Sequence, residues 1–269
     1  MARTDGTLPL VNRHGVDWWW RFAYRHMVNS AFRTVPLYRE RWALLGRTDP
    51  VLVSERTGVH SGAVQMDEAL RRMVDLVPLS GGSDRTDPTR GLGPVLTAER
   101  SLRRNDFVAV LDNKGTPRPW DLPRGVRGCV LDPESEQTES AWLDLTNALR
   151  RDVTVVAVGA DKQLAGLVAA LPEEVTVRLD VVARRELSEL DSGPNGLLHD
   201  RTLGYLGGLR DCGRWHLDWR RVYARETDAG LAFTLLRQQS PRLVDILVDG
   251  GANVSIGRCP RHGTPVVTP

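Results

Sequence analysis

The chain has 269 residues, 41% of them hydrophobic, so it can bury a substantial core as one large domain or two smaller ones. Lys and Arg total 36 against 34 Asp and Glu, interspersed along the chain, which does not indicate a nucleic-acid partner. Three cysteines, no apolar signal core and no apolar run of membrane-spanning length predict a cytoplasmic protein that binds no membrane.

The N-terminal region, residues 1–77, is predicted to be helical. A helix capped by Asp17 is expected to end before Pro36, because the residue before a proline disfavours the α conformation. Four residues recur at the spacing of one helix face: Trp20, Tyr24, Met27 and Ala31. Three consecutive tryptophans at 18–20 cannot all share that face, so we expect at least one to pack elsewhere.

The middle region, residues 78–195, is predicted to be an α/β layer. Apolar runs predict strands at 107–111 and 153–158, and alternating apolar residues predict one at 175–181. Helical spacing predicts a helix around Trp142 and a second helix capped by Asp161. A strand, a helix and a strand joined by short turns form a βαβ unit. The turn at 159–161 follows a strand, where α/β folds bind ligands, but no G-x-G-x-x-G or P-loop motif accompanies it.

The C-terminal region, residues 196–269, is predicted to be a small β-rich subdomain. Residues 221–226 and 231–236 have strand patterns and are separated by a hairpin turn at 227–230. A third strand is predicted at 243–248. The fold class expected for the whole chain is therefore α/β, with an N-terminal helical segment and a C-terminal β-rich part.

Two short cysteine–histidine pairs lie in this C-terminal region. Three residues separate Cys212 from His216 and two separate Cys259 from His262, so each pair can reach one ion from a single turn. Two sulfur and two imidazole ligands fill the tetrahedral shell of zinc. The sequence therefore predicts a zinc cofactor that links opposite ends of the small sheet. The alternative is that two buried thiols and two surface histidines never meet.

The predicted zinc is expected to be structural. A catalytic zinc normally keeps one coordination position open for water, whereas four protein ligands close the shell. Gly213 and Gly263, together with Pro260, are suited to the tight turns that such ligation requires.

Several further motifs follow one another in a fixed order. Val35-Pro-Leu-Tyr-Arg39 lies near the start, and the later ones are Cys212, His216, Tyr223-Ala-Arg-Glu226, Phe233-Thr-Leu-Leu236, Pro241-Arg-Leu-Val244 and Cys259-Pro-Arg-His262. In this order they resemble the phenylacetate–CoA ligase-like branch of the adenylate-forming superfamily. The resemblance implies a fold similar to part of the large domain of those enzymes, and zinc between the Cys and His ligands as in some relatives.

The sequence also departs from that family. The Ser/Thr/Gly-rich ATP loop of the family has no counterpart in this chain. Residues 203–209 stand where the family has its Y-G-x-T-E motif, and residues 245–250 stand where it has R-Y-R-T-G-D. The chain ends where the family continues into a mobile C-terminal domain with a catalytic lysine. Because adenylation requires groups that stabilise the charge developing on phosphate, we expect no ATP-dependent ligation.

Three functions remain open, and whether the protein is an enzyme is open with them. The first is a degenerate homologue that binds or transforms an aromatic or polyketide-like acyl substrate, free or carrier-bound, in bacterial secondary metabolism such as antibiotic biosynthesis. The second is a non-catalytic partner of a biosynthetic enzyme, or a homo-oligomer, docking through exposed tryptophans of the first helix. The third is a zinc-dependent hydrolase or lyase that uses three ligands and a water.

Four polar residues are candidates for contact with a substrate, because they lie close in sequence to the metal pairs: His199, Tyr205, Asp211 and Tyr223. In the zinc-enzyme hypothesis, His262 is the most dispensable ligand, and His199 or Asp211 is the expected base.

Overall fold

The computed structural model describes residues 13–43, 59–134, 139–151, 153–190 and 196–269. The chain forms two compact units. Unit 1 contains the described residues up to Arg85 together with Arg214–Pro269, and unit 2 contains Thr86–Gly213. The units thus group most of the C-terminal region with the N-terminal helices, whereas the sequence predicts three consecutive domains at 1–77, 78–195 and 196–269.

Seven α-helices and thirteen strands occur in the described residues. The helices are α1 (Arg13–Thr34), α2 (Pro36–Trp42), α3 (Met66–Arg71), α4 (Leu92–Glu99), α5 (Ser140–Leu149), α6 (Asp161–Ala170) and α7 (Glu173–Thr176). The strands are β1 (Val64–Gln65), β2 (Phe107–Leu111), β3 (Arg127–Leu131), β4 (Val155–Gly159), β5 (Leu179–Arg185), β6 (Leu197–Asp200), β7 (Gly204–Leu209), β8 (Trp215–Leu217), β9 (Val222–Thr227), β10 (Gly230–Leu235), β11 (Ile246–Leu247), β12 (Ser255–Arg258) and β13 (Pro265–Thr268).

Helix α1 buries the face that the sequence predicts. Its four periodic residues, at 20, 24, 27 and 31, are all buried. The helix stops at Thr34, and Val35 takes an extended conformation before Pro36 begins α2. The predicted cap is wrong: α1 already begins at Arg13, so Asp17 lies inside the helix, where it forms an ion pair with Arg258.

Unit 1 contains two groups of paired strands. One is a four-stranded sheet in the order β1-β11-β10-β9, in which β9 and β10 form the predicted hairpin and β11 pairs in parallel with β1. The other is the antiparallel set β12-β13-β8. The third predicted strand is shorter than expected, because Asp245 takes a positive φ of 53° immediately before β11.

Unit 2 is a mixed sheet in the order β7-β6-β5-β4-β2-β3. All neighbouring strands from β3 to β6 are parallel, and β7 is antiparallel to β6. The chain goes from β2 to β3 on one side and then crosses to β4 on the other side of β2. The strand order therefore reverses between β2 and β4, which is the topological switch point of a doubly wound sheet.

Helices cover both faces of this sheet. Alternate residues of β2 point to opposite faces: Phe107, Ala109 and Leu111 pack in the cluster that contains α5 and α6 residues, and Val108 and Val110 pack in the cluster that contains α4 residues. A parallel strand buried on both sides reads as a continuous apolar run, which is why the sequence predicts β2 and β4 well. The predicted α/β class and the β4–α6–β5 unit are confirmed.

The last strand of that unit begins later than predicted. Residues 173–176 form the short helix α7 and β5 starts at Leu179, whereas alternating valines predict a strand over 175–181. Glu173 and Glu174 lie in the first turn of α7, where negative charge is favourable. Val177, which the strand pattern placed in the core, is exposed.

No helix in the described residues has both the length and the apolar character needed to cross a membrane. The first twelve residues, in which the sequence shows no signal core, lie outside the described part of the chain.

Candidate functional site

The strands β8, β12 and β13 bring the two cysteine–histidine pairs together. Residues 259–264 connect β12 to β13, and β13 pairs on its other edge with β8, placing Val266 opposite His216. The loop that carries Cys259 and His262 therefore lies beside the strand that carries His216. The pairs meet at one place next to β8, so the prediction that they lie at opposite ends of the β9–β11 sheet is wrong.

Tight turns present both cysteines. The amide of Gly213 donates to the carbonyl oxygen of Arg210 at 2.8 Å, and the amide of Gly263 donates to that of Cys259 at 2.8 Å. Gly213 has a φ of 70° and Gly263 a φ of 68°, a conformation that glycine adopts without steric cost. The two glycines therefore have the role that the sequence predicts.

The four predicted ligands form one group. One ligand atom from each of Cys212, His216, Cys259 and His262 lies within 4.8 Å of the others. The Sγ of Cys259 is 3.4 Å from Nδ1 of His262. Ligands at zinc–sulfur and zinc–nitrogen distances in a tetrahedral site are about 3.5 Å apart. The group can hold a metal ion, and the alternative that these side chains never meet is wrong.

A hydrogen bond orients one histidine of this group. Nδ1 of His216 lies 2.7 Å from Oγ1 of Thr264, and both residues are buried. With Nδ1 in this bond, Nε2 is the ring nitrogen of His216 that would ligate a metal. Hydrogen bonds to the second ring nitrogen commonly orient histidine ligands at metal sites. Thr264 is a supporting residue that the spacing of the ligands could not reveal.

A polar pocket lies at the carboxyl ends of the parallel strands in unit 2. It has a volume of about 190 Å³. All of its lining residues are polar or charged: Asp112, Asn113, Gln163, Arg184, Glu186, His199 and Arg201. Only His199 among them is predicted from the sequence. For the other lining residues, the one indication in the sequence is the turn at 159–161, which lies at this edge of the sheet.

An ion pair forms one wall of the pocket. Nη1 of Arg184 lies 3.0 Å from Oδ2 of Asp112, and the two side chains are 15% and 13% exposed. Nη2 of Arg184 also lies 3.5 Å from Oε1 of Gln163, which accepts the backbone amide of Ala160 at the start of α6. The guanidinium and the carboxylate thus neutralise each other within the wall.

His199 is a neutral hydrogen-bonding group. Its Nε2 lies 3.0 Å from the carbonyl oxygen of Pro88, which can only accept, so Nε2 carries the proton and Nδ1 is an acceptor. Burial, with the nearby charge of Arg184, lowers the pKa of His199 to about 3. The ring of Tyr205 lies 4.7 Å away, and burial raises the pKa of Tyr205 to about 12. Neither side chain is suited to proton transfer near neutral pH.

The other two candidates are Asp211 and Tyr223. Asp211 is exposed, in the turn before Cys212. Tyr223 stacks on Tyr24 with ring centroids 4.1 Å apart, in unit 1. Burial and the charge of Asp245 raise the pKa of Tyr223. The structure thus brings His199 and Tyr205 together.

The low pKa of His199 predicts a pH dependence of stability. An unfolded histidine titrates near pH 6.5, so between about pH 6.5 and 3 the unfolded chain binds a proton that the native state does not. The stabilisation is complete above this window and is lost as pH falls through it. Between about pH 7 and 5, wild type should lose about 2 kcal/mol more unfolding free energy than His199→Gln, measured by urea denaturation.

His26→Gln controls for the loss of a histidine, because His26 is exposed on α1. All of these proteins retain the Cys/His group, so any acid-induced loss of metal is common to them. Equal losses in wild type and His199→Gln would show that the environment of His199 does not disfavour its charged form.

No protein-family model matches this chain, and no curated protein matches it.

Proposed function

We propose that Cys212, His216, Cys259 and His262 bind one Zn²⁺ that stabilises the fold. The convergence of their four ligand atoms carries this proposal. Thiolate and imidazole together are the donor set that zinc prefers, and no carboxylate belongs to the group. The strands around it are short, three residues in β8 and four each in β12 and β13, so ligation supplies order that strand pairing alone supplies weakly.

Four protein ligands favour a structural role over a catalytic one. A hydrolase or lyase would need one coordination position for water, and His262, half-buried at the end of the loop, is the ligand that it would release. His216 and Cys259, in contrast, are buried. A zinc ion with four protein ligands stabilises the folded chain, because its binding free energy contributes to the free energy of folding.

The metal content of purified protein tests this proposal. Wild type should contain about one Zn²⁺ per chain, and replacement by Co²⁺ should give the absorption of a tetrahedral thiolate site. Cys259→Ala should contain much less metal, since it lacks one thiolate. His262→Ala should lose metal and also unfold the loop at 259–264; if it keeps both zinc and the folded loop, the closed structural site is contradicted.

Two variants outside the group provide matched controls. Cys129→Ala removes the remaining cysteine, which is buried in unit 2, and His26→Ala removes an exposed histidine. Both should contain as much zinc as wild type. Metal loss in either control would mean that the assay reports general unfolding.

The resemblance to phenylacetate–CoA ligase-like proteins supports a wider proposal. The protein would be a remodelled adenylate-forming scaffold that binds an aromatic or polyketide-like acyl group without ATP. A parallel α/β layer with its ligand-binding edge is compatible with this proposal. The pocket at that edge is polar, so the apolar group would require another surface of the protein.

An exposed aromatic pair favours the second candidate function, docking to a partner protein. Trp18 and Phe22 of α1 are 66% and 56% exposed, and their rings stack with centroids 5.3 Å apart. Arg21 and Arg25 are exposed on the same helix. Aromatic anchors of this kind are enriched at protein interfaces, so α1 is the surface that such a partner would contact.

A further inference from the structure

The polar pocket of unit 2 lies where a doubly wound sheet places its ligands. Its lining residues come from the ends of successive parallel strands and from the turns that follow them. Asp112 follows β2, Gln163 lies in the first turn of α6 after β4, Arg184 and Glu186 are at the end of β5, and His199 is in β6. In such sheets the crevice at the carboxyl ends of the strands, at the switch point, is the usual binding site.

The pocket offers a hydrogen-bond acceptor, Nδ1 of His199. His199 is 5% exposed, and its Nε2 is committed to the carbonyl of Pro88. Nδ1 is therefore an acceptor at the pocket, where an O–H or N–H of a ligand can replace water as the donor. A carboxylate, a phosphate or an ether oxygen cannot donate to it. The ring stays neutral near pH 7, so it does not attract an anion by charge.

The charges of the lining residues balance. Arg184 and Asp112 pair with each other, and the exposed Arg201 and Glu186 carry opposite charges. A balanced pocket gives no net attraction to a phosphate or a carboxylate. Its polar lining also gives an aryl or acyl chain no apolar surface to bury. The volume of about 190 Å³ is suited to a small molecule.

We propose that this pocket binds a small uncharged polyol, with one hydroxyl donating to Nδ1 of His199 and others bonding to the Arg184–Asp112 wall. Hydroxyl groups both donate and accept, so one ligand satisfies the imidazole, the carboxylate and the guanidinium together. This inference goes beyond the structural zinc and the acyl ligand, and it depends on neither.

Titration of the full chain with xylitol tests the proposal, followed by long-range ¹H–¹⁵N spectra of the histidine rings. Xylitol should shift the Nδ1 resonance of His199. In His199→Gln, the amide nitrogen can still donate to the carbonyl of Pro88, but the acceptor is lost, so xylitol affinity should fall about tenfold or more. Arg201 is an exposed residue of the pocket lining. Arg201→Gln should weaken xylitol binding a fewfold, and it is the variant to test if His199→Gln does not fold.

His26→Gln should bind xylitol as wild type does. Xylitol that leaves the His199 resonances unchanged overturns the proposal, as does equal affinity in wild type, His199→Gln and Arg201→Gln. Inorganic phosphate shifting His199 in place of xylitol overturns it in favour of an anion site. Phenylacetate should leave His199 unchanged, and shifts elsewhere in the spectrum would support acyl binding separately. Binding of ATP in this pocket would overturn both the polyol proposal and the proposal of an ATP-independent acyl-binding protein.

Discussion

Replacing Cys259 with alanine should lower the free energy of unfolding of the protein by at least about 3 kcal/mol, and should abolish its sensitivity to a metal chelator. Cys259 is buried, and its Sγ lies beside Nδ1 of His262 in the ligand group. Structural zinc supplies about 10–16 kcal/mol of binding free energy in small zinc domains, so losing one thiolate removes a large part of it. Urea denaturation with and without EDTA measures both effects.

Cys129→Ala is the matched control for this experiment. Cys129 is a buried thiol in the core of unit 2, and burial raises its pKa to about 12, so it stays protonated. Its replacement should cost about 1–2 kcal/mol through the small cavity, and should preserve the response to EDTA. If EDTA leaves the unfolding of wild type unchanged, the metal has no structural role.

Asp245→Asn is expected to have a comparably large effect in unit 1. Asp245 is fully buried, accepts a hydrogen bond of 2.7 Å from the hydroxyl of Tyr24, and lies 3.1 Å from Nε of Arg225, which is 9% exposed. Asparagine tolerates the positive φ at this position, so the change removes mainly the charge. An unpaired guanidinium then remains buried, which should cost about 3–5 kcal/mol in the free energy of unfolding.

Two further variants define the origin of that cost. Asp75→Asn breaks an ion pair between side chains that are largely exposed, Asp75 at 41% and Arg72 at 34%. This change should lower the free energy of unfolding by at most about 1 kcal/mol. Adding Arg225→Met to Asp245→Asn should recover part of the stability, because the buried charge is then gone. A loss below about 1 kcal/mol in Asp245→Asn itself would contradict the importance of this pair.

The Cys/His group that can hold a metal ion is largely predictable from the sequence. Each Cys/His pair lies within one turn, so its spacing alone indicates that both side chains can reach one point. Gly213 and Gly263 allow those turns locally. The meeting of the two pairs depends on β13, which lies between β8 and β12, and strands of three and four residues leave too short a pattern to predict that pairing.

Helix α1 also combines a feature that is predictable from local sequence with one that depends on a distant residue. The 3.6-residue period predicts its buried face, because the period is a local property of the backbone. Asp17 is predicted as a cap, but α1 begins earlier, at Arg13, and Asp17 instead pairs with Arg258, which is distant in sequence. The sequence also predicts Asp161 as a cap, whereas α6 begins with that residue and Ala160 occupies the cap position.

The pocket of unit 2 was largely hidden from sequence reasoning. Arg184 and Asp112 are 72 residues apart and meet only because β5, β4 and β2 are consecutive neighbours in the sheet. Strand β7, with the sequence GYLGGL, lacks the alternation and the β-branched residues that indicate a strand. Its position beside β6 brings the rings of Tyr205 and His199 together.

The sequence by itself determined the α/β class, the buried face of α1, the core strands β2 and β4 and the two Cys/His pairs, because each is encoded by residues close together along the chain. The tertiary structure alone decided how the two ligand pairs meet, which residues line the polar pocket and how Asp245 is neutralised. These features join residues far apart in sequence, and their contacts exist only after strand order and register have been set.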